Sequence, residues 1–160
     1  MKKKQIDFKN DLPKKLGEHF FPKAITSEII IIKCHLLIEY ALDYFINTIT
    51  EGRYEEESFD FTFSQKHKIA ILLGLDHANL HNEIRIFIEE LNKLRNQIAH
   101  NIEFDTKLLD KIVDKKQYYD PEKYSSLDIF YQFLLREKTA FIAGRISAIA
   151  EALTIQPKSK

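Results

Sequence analysis

The stretch Leu91-Asn92-Lys93-Leu94-Arg95-Asn96-Gln97-Ile98-Ala99-His100 decides how the rest of the chain is read. Going backwards, its apolar positions are Ile98, Leu94, Leu91, Phe87, Ile88 and Ile84. Steps of three and four place them on one side of a helix, so the stretch ends a long amphipathic helix. Arg95 falls beside that apolar stripe, between Leu91 and Ile98. Asn96 and His100 are four apart and share a face. The C-terminal end of a helix favours a cation, which makes a protonated His100 easier to hold.

Outward from this stretch the chain reads as helices. There are only four Gly and four Pro in 160 residues, without regular spacing, which suits long helices and argues against a many-turned β fold. Hydrophobic content of 44% and charged content of 30% indicate one globular domain rather than a disordered chain. Ser27 is the expected N-cap of a first helix running to about Thr50, with Glu28 in its first turn. Ser64 is expected to cap a second helix through Leu73, with Ile69, Leu72 and Leu73 on its core side and Gly74 as its stop. The helix carrying the opening stretch begins near 77–80. Thr106 opens a short helix through about Lys116, and Ser126 or Leu127 begins a last one through about Leu153. In that last helix Ile129, Phe130, Phe133, Leu134, Phe141, Ile142, Ile146 and Ile149 keep the helical period. The expected fold is all-α: an antiparallel bundle of about four to five helices spanning 27–156, with a basic arm at 1–26 and a tail at 157–160.

Several features admit a functional and a plain reading. Glu28, His35, Glu39 and Asp43 form a polar stripe on the first helix, which either lines a cleft or is simply solvated. Phe59, Phe61 and Phe63 alternate, as in a short extended segment. His77 and His81 have a spacing that suits a metal, or form a surface pair. Tyr118, Tyr119 and Tyr124 near lysines either stack on bases or cap the packing. Cys34 stands alone, which excludes an internal disulfide and a cysteine metal cluster within one chain. Lys plus Arg equals Asp plus Glu, 24 each, so contact with nucleic acid requires a local basic patch. The four glycines include no phosphate-binding loop. No membrane span or secretion signal is legible, and the cytoplasm is the expected location.

Arg95-Asn96-x-x-x-His100 resembles the signature of the HEPN superfamily, an Arg and a polar residue followed after a short gap by a His. The wording LNKLRNQIAHN is similar to HEPN-type proteins of prokaryotic defence and toxin systems. The resemblance implies an endoribonuclease that needs no metal or other cofactor. Its site would be composite, with Arg95, Asn96 and His100 contributed by both chains of a homodimer. The chemistry is coherent. A His titrates near neutral pH and serves as base or acid, while a guanidinium grips phosphate oxygens in a fork. Together they suit attack by a 2′-OH with a cyclic phosphate product. The resemblance also implies an acidic or polar residue of the first long helix in the cleft, for which Glu39 is the first candidate and His35 the second. The expected partners are RNA, a second copy of the chain and a neighbour-encoded antitoxin or regulator. Where some antitoxin-paired members carry a modifiable Tyr two residues after the His, this chain has Ile102, so that regulation is not expected. The competing expectations are a noncatalytic dimerisation or partner-binding module and a small-nucleotide binder.

Overall fold

Each helix of the protein starts and stops for a local reason. In the computed structural model, which describes residues 26–54, 60–76, 81–100, 106–113, 122 and 125–155, the first helix is α1, Ser27–Ile49. Its cap is Thr26, in extended backbone, rather than Ser27. Ser27 is already helical, and its hydroxyl is drawn away to the carboxylate of Asp128. At the other end the Thr50 hydroxyl bonds the Ile46 carbonyl at 2.7 Å. Gly52, at φ 76°, sends its N–H back to Asn47 at 2.9 Å, which closes the helix.

The helix α2, Phe63–Ala70, is capped by Thr62 and not by Ser64. Gln65 decides this. Its side chain accepts the Thr62 N–H at 2.8 Å while the Thr62 hydroxyl accepts the Gln65 N–H at 3.4 Å, a reciprocal box that Ser64 has no partner to form. The helix then widens into a π turn over Ile71–Leu75, and Gly74 at φ 107° ends it as expected. Widening rotates the side chains. Leu72, assigned to the core from its spacing, is 84% exposed, while Ala70 and Leu75 are buried.

The motif helix is α3, His81–His100. Ile84, Phe87, Ile88, Leu91 and Leu94 are buried and Ile98 half-buried, which is the stripe read from the sequence. The short α4, Thr106–Ile112, buries Leu109 and Ile112. It stops before Lys116, and residues 114–121 lie outside the described part of the chain. The last helix, α5, is Leu127–Ile155. Of its periodic apolar residues, Phe130, Leu134, Ile142 and Ile146 are buried, but Ile129 and Phe141 are exposed. Phe141 is instead covered on one side by the guanidinium of Arg145, 5.3 Å from the ring centre.

The protein is thus an all-α bundle, with five α-helices and no strand among the described residues. The Phe alternation makes no strand: Phe63 opens α2, Phe61 stacks on Tyr54, and Phe59 lies outside the described residues. The expected antiparallel packing needs one correction. The largest interface, between α1 and α5, is parallel. Ser27 meets Asp128 and Gln132 at one end, and Tyr44 meets Glu151 at the other. The long connection through α2, α3 and α4 returns the chain to the starting end before α5 begins, so the two longest helices can run side by side in the same sense. The motif helix runs the opposite way. Glu83 near its start pairs with Lys138 and Arg145 midway along α5, whereas α4, next in the chain, meets the beginning of α5 through Asp110 and Tyr131.

No described helix is long and apolar enough to cross a membrane. The basic arm, the tyrosine loop, Ile102, the tail and the side chains of His77 and His81 lie outside the described residues.

Candidate functional site

The last two turns of α3 carry Arg95, Asn96 and His100, and all three side chains are exposed. Their exposure comes from the helical period: burying Leu91, Leu94 and Ile98 against the bundle leaves the other face to water. The Arg95 Nη1 donates to the Asn96 carboxamide oxygen at 3.2 Å. In an ideal helix Arg95 and His100 point about 140° apart and lie about 7.5 Å apart along the axis. Arg95 therefore stays beside the buried stripe, and His100 turns away from it. Asn92, Asn96 and His100 step by four and form one polar edge between them.

Arg95 is near enough to α1 for its charge to act on His35. One turn before it, the Asn92 carboxamide oxygen meets His35 Nε2 at 3.3 Å. The His35 ring is 7% exposed and stacks on Phe63 with centroids 3.9 Å apart. Burial depresses the pKa of His35. The Asn92 bond and the nearby Glu39 carboxylate work against that shift, and the Arg95 charge adds to it. The structure thus brings His35 to the motif helix beside Arg95, while Glu39 reaches that site only through its effect on His35.

Behind them lies an ion cluster that the sequence reading missed. Lys66, 3% exposed, sends its ammonium to Asp43 at 2.7 Å and to Glu39 at 3.0 Å. Tyr54 donates its hydroxyl to the other oxygen of Asp43 at 3.0 Å. Burial disfavours the charged ammonium. The hydrogen bonds and charges of the two carboxylates outweigh it, and the Lys66 pKa is raised above its ordinary value. The stripe on α1 is therefore neither bare nor simply solvated: His35 and Asp43 are buried, and Glu39 is half-buried and bound to Lys66. Lys66 had a legible signal. It lies three residues after Phe63 and four before Ala70, on the buried face of α2, where a lysine needs a carboxylate. Asn92 was legible as the first member of the four-spaced edge that ends at His100.

Cys34 is fully buried, and burial pushes its thiol up to about 12, against a hydrogen bond with Thr139. It is a packing residue and not a nucleophile.

Comparison of the chain with protein-family models, with curated proteins and with solved structures finds no match. Fold and site by themselves define a class: a helical bundle that presents an Arg-Asn pair and a His on the exposed end of one helix, backed by a buried polar cluster.

Proposed function

We propose that the chain is a metal-independent endoribonuclease of a prokaryotic defence or toxin–antitoxin type system. It cuts RNA by attack of the 2′-OH in a site completed by a second copy of the chain. The observation that carries this reading is the joint exposure of Arg95, Asn96 and His100 on the end of α3. The guanidinium supplies positive charge for the phosphate, and the imidazole supplies a group that exchanges protons near neutral pH. Their divergence around one helix supports the dimer: Arg95 of one chain and His100 of the other can flank one phosphodiester where those of a single helix point apart. Glu39 contributes indirectly, since its carboxylate is engaged by Lys66. Asn96 holds the guanidinium in place.

The test is cleavage of single-stranded RNA by the purified chain in EDTA. Cleavage is expected with the wild type and lost in H100A and R95A; cleavage that survives both substitutions overturns the proposal. No cleavage by the wild type, with dimer affinity altered by the same substitutions, favours the noncatalytic dimerisation module.

A further inference from the structure

His35 has no assigned task in the cleavage chemistry, yet it occupies the point where three helices meet. Its ring is held from below by Phe63 of α2 and at its edge by Asn92 of α3. Asn92 is one turn before Arg95, so the guanidinium emerges about 5–6 Å further along the same side of α3. The charged groups around the ring are few. Glu39 lies one turn along its own helix, Lys66 of α2 is bound to Glu39 and Asp43, and Arg95 comes from α3.

We infer that a phosphodiester seated on Arg95 is balanced by a proton taken up on the ring of His35, so that anion binding at the motif is proton-linked. This rests on reading Arg95 as the phosphate grip. The bond to Asn92 is compatible with the added proton. The carboxamide oxygen of Asn92 only accepts, so Nε2 carries the hydrogen and Nδ1 is the nitrogen that takes a further proton while the Asn92 bond stays intact. In the free protein two influences disfavour the charged ring, burial and the charge of Arg95. The Glu39 carboxylate, which would favour the imidazolium, is shared with Lys66. An anion on Arg95 cancels the second influence and leaves Glu39 and Asn92 to favour the charged ring. The exposed His100 serves the chemistry, and the buried His35 adjusts the charge beneath it.

The experiment tracks the His35 ring by NMR titration in the full chain, with the H35Q spectrum to assign it. The probe is a single-stranded oligothymidylate, a phosphodiester chain that has no 2′-OH to attack and does not titrate near neutrality. The midpoint of His35 is expected to rise when the oligonucleotide is added to the wild type. In R95Q it should start higher and not move on addition of the oligonucleotide. A wild-type midpoint that the oligonucleotide leaves in place overturns the inference, whether or not RNA is cut. A midpoint that moves in a protein that cuts no RNA leaves the inference standing and removes the nuclease.

Discussion

Removing the ammonium of Lys66 tests the reading of the buried cluster most directly. In K66M the stem volume is kept, but Asp43 and Glu39 lose the charge that both of them bind, at 2.7 and 3.0 Å. Asp43 is only 9% exposed, and the Tyr54 hydroxyl that it keeps is a neutral donor. Breaking a buried pair from one side costs about 3–5 kcal/mol, because a charge is left without compensation. Glu39 is 28% exposed and can turn to water, which places the expectation at the lower end, about 3 kcal/mol. Against a typical total stability of about 5–15 kcal/mol this is a large fraction. Urea unfolding at neutral pH monitored by circular dichroism measures it, as a lower midpoint with an unchanged slope. The double variant K66M/D43N removes the orphaned charge and should recover much of the loss. The deficit of K66M should also shrink on acidification, since Asp43 can then take a proton. If K66M unfolds within about 0.5 kcal/mol of the wild type, as substitutions at ordinary surface sites do, the cluster does not hold α1 to α2 and the argument is refuted.

R95A and H100A should each lower RNA cleavage by about 100- to 10,000-fold, the usual worth of an acid–base group or of a charge on the transition state. Both side chains are exposed, so the urea midpoints should stay within about 0.5 kcal/mol of the wild type. His67 is buried, its Nε2 has no hydrogen-bond partner among the described residues, and burial lowers its pKa; Glu89 and Asp76 oppose that shift and Arg85 adds to it. The unfolded chain thus binds the proton first. This contribution to stability is complete above the ordinary His value and is lost as pH falls towards the depressed one, and H67N should flatten that part of the stability–pH curve. T62A removes the hydroxyl that accepts the Gln65 N–H in the capping box that starts α2, leaves the backbone N–H to Gln65 in place, and should cost about 1 kcal/mol in the same unfolding assay.

The stripe of α3 was readable because a single period runs unbroken from Ile84 to Ile98 and one face meets the core. The long helices were readable for the same reason. The caps were misplaced by one or two residues because Ser27 and Thr26, or Ser64 and Thr62, are all favoured caps and Ser is the better of the two types in isolation. What decided between them was a partner, Asp128 in one case and Gln65 in the other. Leu72 escaped the reading because periodicity assumes a uniform helix, and the π turn before Gly74 changes the angle per residue. The parallel course of α1 and α5 left no local signal at all. It depends on how much chain lies between them, not on any pattern within either.

The polar stripe on α1 shows why a site is harder to read than a fold. Spacing places Glu28, His35, Glu39 and Asp43 along one edge but says nothing of what faces each. Towards the C-terminal end the stripe meets Lys66, and Asp43 and Glu39 are bound in an ion cluster whose effect is to join α1 to α2. Further back it meets the motif helix, where His35 touches Asn92 and feels Arg95. One face of one helix therefore serves two ends, and the boundary falls at Glu39, a single turn beyond His35. If that division is right, substitutions of Asp43 act on unfolding and leave the His35 midpoint in place, whereas substitution of Arg95 moves the midpoint and leaves unfolding unchanged. Glu39, which touches Lys66 and acts on His35, should register in both measurements. An E39Q variant that changed only unfolding would put Glu39 with Asp43, and one that shifted only the midpoint would put it with His35.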